Sequence, residues 1–119
     1  MESYKGLVVY QKAYRLSLEI YQVTRNYPKE EVYGLVSQMR RSAVSIPCNI
    51  AEGYRRGHRG EYIQFLHIAH GSCGELETLL SLSRDLKFID EARFEKLYEL
   101  QEEVSRLLNG LIASLERGR

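Results

Sequence analysis

Apolar side chains return every three or four residues through four successive stretches of this chain, and that period constrains the fold more than any other feature. In the first stretch, about Val8 to Tyr27, the helical rotation brings Val9, Ala13, Leu16, Ile20, Val23 and Tyr27 to one face. Pro28 ends it, because the residue before a proline is pushed out of the α region. The second stretch, about Glu30 to Arg56, aligns Val32, Leu35, Met39, Ala43, Ile46, Ile50 and Gly53. Glu30 and Glu31 sit in its first turn, where they complement the positive end of the helix dipole. The third, about Glu61 to Leu86, aligns Tyr62, Phe65, Leu66, Ala69, Cys73, Leu76, Leu80 and Ser83. Asp90 supplies an N-cap for the fourth. That stretch uses Phe94, Leu97, Val104, Leu107, Leu108, Leu111, Ile112 and Leu115, and Gly118 ends it.

Strand-type alternation is absent, so the class is all-α. With 119 residues the chain fits one domain, residues 1–119. Short connections between long helices make sequential neighbours antiparallel, which predicts an up-down-up-down four-helix bundle. Pro47 lies inside the second periodic stretch, removes one backbone donor and crowds the Ala43 carbonyl. Two outcomes are open: a second helix kinked at Pro47, or a break at Ile46 with a new helix starting at Pro47. The apolar period stays in phase across Pro47, which favours the kink. Gly71 and Gly74 fall on the outer side of the third stretch, at a cost of roughly 1 kcal/mol each relative to alanine. A helix that accepts this cost is expected to let another element approach closely.

The hydrophobic share of 44% and the charged share of 28% are ordinary for a soluble globular chain. No apolar run approaches the roughly 20 residues of a membrane span. Met1–Gly6 is polar, so no signal peptide is expected. Cys48 and Cys73 are too few for a disulfide framework, and two reduced, mostly buried thiols in a cytoplasmic protein are expected.

Two patterns exceed what a monomeric bundle needs. Tyr10, Tyr14, Leu18 and Tyr21 form a second apolar row on the first helix, and Val44, Cys48 and Ala51 form a smaller one on the second. Tyrosine suits interfaces, being apolar along the ring and polar at its tip. Charge is the other pattern. Within Gln38–Gly60 there are five arginines (Arg40, Arg41, Arg55, Arg56 and Arg59) against one carboxylate, Glu52, giving +4 in a chain whose net charge is +1. Guanidinium forks match phosphate geometry, and phosphate contacts supply most non-specific nucleic-acid affinity. The plainer alternative is a set of solvated arginines that serve the helix C-terminus, with Glu52 placed to pair with Arg56.

Catalysis and metal binding find little support. His67 and His70 stand three apart, but Gln64 occupies the place of the glutamate that a dinuclear bundle site would use, and no second helix offers a partner. Cys48 lacks a base, since His58 lies roughly 15 Å away along an ideal helix. Phosphate-cradling Gly-x-x-x-x-Gly-Lys, His-Glu-x-x-His and Gly-x-Ser-x-Gly patterns do not occur. Neither cofactor nor metal is expected.

Several strings together resemble one family. They are Val9-Tyr10-Gln11-Lys12-Ala13, Tyr33-Gly34-Leu35, Gln38-Met39-Arg40-Arg41-Ser42, Ser45-Ile46-Pro47 and Asn49-Ile50-Ala51-Glu52-Gly53. Phe65-Leu66, Ile68-Ala69, Gly71-Ser72 and Glu75-Leu76-Glu77 continue the match along the third helix. The chain resembles the bacterial 23S rRNA intervening-sequence proteins, and is related through them to the accessory bundle protein of diversity-generating retroelements. The resemblance implies no enzymatic activity and a homo-oligomer in the form of a five-fold ring. As partners it implies RNA or DNA, or a nucleic-acid enzyme such as a reverse transcriptase. His58-Arg59-Gly60 departs from the family pattern at the start of the third helix. The expected function is a non-enzymatic, nucleic-acid-binding oligomer with Arg40, Arg41, Arg55, Arg56 and Arg59 as phosphate contacts. The alternative is a protein-interaction scaffold with little nucleic-acid binding of its own. In either case Tyr10, Tyr14, Leu18, Tyr21, Val44, Cys48 and Ala51 are the expected oligomer interface.

Overall fold

A computed structural model describes residues 3–118. Met1 and Glu2, and with them the start of the stretch read above as polar, lie outside the described residues. Four helices follow in order: α1 (Val8–Thr24), α2 (Leu35–Arg56), α3 (Arg59–Asp85) and α4 (Glu91–Arg117). Each packs on its chain neighbour and α4 closes against α1, while the diagonal pairs are not neighbours. The body measures 48 × 23 × 20 Å, an elongated bundle whose length comes from helices that rise about 1.5 Å per residue. Among the described residues no helix is long and apolar enough to cross a membrane.

The core follows the apolar period closely. All six residues of the α1 row are buried, Tyr27 included, although α1 itself ends at Thr24. On α2 the row is buried from Leu35 through Gly53. On α4, Leu100 and Gln101 join the expected row. Gln101 donates from Nε2 to the Cys73 carbonyl, 3.2 Å away, tying α4 to α3 in the middle of the bundle. Lys12 and Glu103, 3.1 Å apart, join α1 to α4 at the surface.

Element boundaries depart from the periodic reading at three places. α2 begins at Leu35 rather than Glu30, because Lys29–Glu31 forms a separate 3-10 turn. Glu31 then accepts from the Leu35 N–H at 3.2 Å, so this acid caps the helix from outside instead of lying within it. As a result Val32 leaves the core and is exposed. At the other end of α2, Gly57 adopts φ +78°, a left-handed cap that glycine accepts without a Cβ clash. The turn is therefore only Gly57-His58, and α3 starts at Arg59 instead of Glu61, with the Tyr62 N–H reaching the His58 carbonyl at 2.9 Å. α2 runs unbroken through Pro47, which rules out two separate helices there.

The glycines also sort differently from expectation. A Cβ on Gly71 or Gly74 would meet nothing within 4 Å, so no other element of the subunit approaches them. The close approach occurs at Gly53, where a Cβ would lie 2.7 Å from the Phe65 Cβ and 3.2 Å from the Tyr62 ring. Gly53 is thus what lets α2 and α3 pack backbone to backbone.

Candidate functional site

The two extra apolar rows, read separately from α1 and α2, form one surface. Tyr10, Tyr14, Leu18 and Tyr21 from α1 face Val44, Cys48 and Ala51 from α2 across a groove of about 410 Å³. Tyr4, Ser17 and Pro47 complete its walls. Tyr14, Leu18 and Tyr21 are 52%, 58% and 42% exposed, an unusual share of solvent contact for three large side chains in a row. Tyr4 is held over the groove by a 3-10 turn at Tyr4–Gly6, with Ser3 accepting from the Lys5 N–H. Its ring packs edge-on against Tyr10 at 5.0 Å and also reaches Tyr54 at 6.2 Å. Tyr54 in turn meets Tyr62 at 5.7 Å, so a run of tyrosines leads from the groove to α3. Burial, and then the neighbouring Tyr4 phenol, push the Tyr10 phenol above its ordinary value. Periodicity missed Tyr4 because it stands outside every helical stretch. Pro47 could have been placed by its spacing from Val44 and Ala51.

Of the two cysteines, Cys73 is buried and Cys48 is exposed in the groove, which corrects the expectation of two mostly buried thiols. Both are free. Burial, and then Glu77, push the Cys73 thiol up to about 12.

The five arginines divide into two groups. Arg40 and Arg41 lie near the start of α2, and Arg55, Arg56 and Arg59 lie about four helical turns away, at the other end of the bundle. Arg40 is engaged within the subunit. Its Nε donates to the Thr24 hydroxyl at 2.9 Å, its Nη2 to the Tyr21 carbonyl at 3.3 Å, and its guanidinium lies 4.5 Å from the Tyr21 ring centre. The cation thereby satisfies the carbonyl end of α1. Arg56 is also engaged, 2.9 Å from Glu52, 3.7 Å from Glu61 and 4.9 Å from the centre of the Phe65 ring. The spacing had anticipated the Glu52 pair. Arg41, Arg55 and Arg59 are exposed, and among the described residues none of them has a carboxylate within 4.0 Å. Arg41 stands beside the groove with Tyr21, Val44 and Cys48, and Arg55 stands beyond Ala51 at the far end.

The histidines do not converge on a site. His70 Nε2 is 3.0 Å from the Ser105 hydroxyl, and His67 is 3.9 Å from Glu116. Among the described residues no three His, Cys, Asp or Glu side chains are grouped to hold a metal ion.

An antiparallel bundle with an aromatic groove flanked by arginines defines a class, that of small all-helical four-helix-bundle proteins. Residues 5–110 match the family of 23S rRNA-intervening sequence proteins, and the chain belongs to that family. Among solved structures it is similar to a protein of unknown function from the S23 ribosomal protein family of Bacteroides thetaiotaomicron. The two share 26% identity at a TM-score of 0.83, over 89% of this chain and 96% of that one. No curated protein matches the chain.

Proposed function

We propose that this chain is a non-enzymatic subunit of a homo-oligomer that binds RNA or DNA through repeated arginines. The observation that carries the reading is the position of the unengaged cations. Arg41 and Arg55 lie on the same outer side of the bundle as the apolar groove, Arg59 opens α3 just past the turn that follows Arg55, and none of the three has a carboxylate partner among the described residues. One subunit offers three such charges, a weak patch against the phosphate lattice. Association through the groove multiplies the patch, and affinity rises by summed field and by multivalency. The family name connects its members with 23S rRNA, which agrees with a polyanion as ligand. The five-fold number rests on the family resemblance, and the engaged Arg40 and Arg56 hold the two ends of α2 in place while keeping donors free at the surface.

Retention of a structured RNA, followed by fluorescence anisotropy across a salt series, tests this. Binding is expected to weaken steeply with salt, in proportion to the phosphates neutralised. Arg55→Ala combined with Arg59→Ala is expected to weaken binding and to flatten the salt slope. Binding that ignores salt, or that is unchanged in the double variant, would refute the reading. The second reading, a scaffold that docks a nucleic-acid enzyme, is favoured by the apolar lining of the groove. It predicts protein capture that survives nuclease treatment and negligible retention of RNA alone.

A further inference from the structure

A second hollow, of about 490 Å³, lies between α2 and α3, and polar side chains line it throughout. Gln38, Arg41, Ser42 and Ser45 come from α2, and Ser72 and Glu75 from α3. Hydroxyls make its floor. Ser42 is buried and donates to the Met39 carbonyl at 3.2 Å. Ser45 and Ser72 are half-buried; the Ser45 oxygen accepts from the Ser72 hydroxyl at 2.8 Å and from the Asn49 amide at 2.9 Å. Gln38, Arg41 and Glu75 are exposed and form the rim.

The rim carries opposite charges that do not close on each other. Arg41 has no carboxylate within 4.0 Å among the described residues, although Glu75 lines the same hollow. The space between them suits a ligand that offers acceptors to one and donors to the other. α3 is also bare beside Glu75. Gly71 stands about one turn before it and Gly74 next to it, and a Cβ on either would meet nothing within 4 Å. These glycines cost helix propensity with no packing return in the subunit, and glycine is the residue that lets a ligand approach backbone closely.

The floor does not suit the apolar face of a protein helix, because its hydroxyls would lose water without gaining partners. Nor does a carboxylate suit a phosphate, which it repels. Glu75 gains on a polyanion-binding surface only by accepting from the edge of a base. Guanine offers two neighbouring donors, N1–H and the N2 amino group, which match the two oxygens of one carboxylate. It also offers two neighbouring acceptors, O6 and N7, which match the guanidinium fork. Adenine, cytosine and uracil each lack at least one of these pairs. We infer that the α2–α3 hollow takes an unpaired guanine of the bound strand, with Glu75 accepting from N1 and N2 and Arg41 donating to O6 and N7. This deepens the nucleic-acid reading above and rests on it. Arg41 then reads a base, while Arg55 and Arg59 hold phosphates that carry no sequence information.

The test uses the full chain and fluorescein-labelled single-stranded RNA, a uridine tract with one central guanine or one central adenine, followed by anisotropy at fixed salt. Circular dichroism checks that the exposed-site variants Glu75→Gln and Arg41→Lys stay helical. The wild type is expected to bind the guanine strand about tenfold more tightly than the adenine strand. Each variant is expected to bring that ratio close to one. Glu75→Gln should do so while binding the adenine strand at least as tightly as the wild type, since a repelling carboxylate is gone. Arg41→Lys keeps the charge and loses only the fork. Guanosine monophosphate is expected to compete only far above the strand's own dissociation constant, because phosphate contacts along the strand supply most of the affinity. Competition at equal concentration would make a free nucleotide the ligand and overturn the assignment to a strand. Equal, salt-sensitive binding of both strands by the wild type, or a guanine preference that survives Glu75→Gln, overturns the guanine assignment and leaves the nucleic-acid reading standing. Failure of every strand to bind at low salt overturns that reading, and the guanine assignment with it.

Discussion

The Ser17 hydroxyl on α1 donates to the Ala43 carbonyl on α2, 3.0 Å away, and that carbonyl is the one Pro47 leaves without its helical partner. An ordinary residue at position 47 would bond back to residue 43, and proline has no N–H to do so. An oxygen freed inside a packed helix would cost about 1–3 kcal/mol if unmatched. The neighbouring helix supplies the missing donor. The same hydroxyl lies 3.2 Å from the Ala13 carbonyl on its own helix, so it arrives already oriented by α1.

Removing that donor should therefore matter only while proline is present. Ser17→Ala is expected to destabilise the fold by about 1–2 kcal/mol. In a Pro47→Ala background, where the restored amide reclaims the Ala43 carbonyl, the same change is expected to cost markedly less. Chemical denaturation of the two single variants and the double variant measures the coupling. Additive losses would show that the Ser17 contact does not compensate the proline.

The glycines of the bundle should respond oppositely to alanine. Gly53→Ala forces a methyl against the Phe65 Cβ at 2.7 Å and is expected to cost about 1–3 kcal/mol. Gly74→Ala adds a methyl in open space and is expected to raise subunit stability by about 0.5–1 kcal/mol through helix propensity alone. Urea midpoints of the two variants suffice to check the contrast. A Gly53→Ala midpoint at or above that of the wild type would mean that the α2–α3 approach is not as close as described.

Alkaline pH should loosen the bundle before it affects surface charge pairs broadly. Burial raises the Cys73 thiol from 9.0 to about 12, and burial also raises the Tyr27 and Tyr62 phenols. For acids raised in the folded state, the unfolded chain ionises first. The stabilisation is thus complete below the unfolded value and is lost as pH climbs through the folded one. Stability is expected to hold below pH 9.0 and to fall between there and about pH 12. Cys73→Ala should flatten the earliest part of that decline, whatever the cavity costs at neutral pH. An unchanged slope in the urea midpoint against pH would assign the decline to other groups.

The start of α4 depends on one carboxylate. Asp90 Oδ1 accepts from the Arg93 N–H at 2.7 Å and satisfies a donor that the helix leaves free. Asp90→Ala is expected to cost about 1 kcal/mol, and Asp90→Asn to restore most of it. Thermal unfolding of the pair distinguishes a capping role from one of net charge.

Much of this was legible in the sequence, for reasons that particular residues make clear. The α1 row from Val9 to Tyr27 and the α2 row from Leu35 to Gly53 are buried as their period requires, because bundle burial is set by helical rotation alone. The groove residues were also found, since Leu18 and Tyr14 sit a fraction of a turn from the core row. The α2 start was not legible, because Glu31 serves equally as a first-turn acid or as a cap outside the helix. Nor was the role of Gly53, which the period marks only as inward-facing, while its contact with Phe65 depends on how closely two axes approach. The arginines show the sharpest limit. Composition counts five together, whereas the fold turns Arg40 onto Thr24 and Tyr21 and leaves Arg41, Arg55 and Arg59 unpaired among the described residues.

The absolute mass of the unliganded wild-type protein, by light scattering behind size exclusion, tests the central claim most directly, because association decides whether three arginines remain three or are repeated around an assembly. The account predicts about five times the 13.8 kDa of one chain. A mass of 13.8 kDa across the concentration range would contradict it.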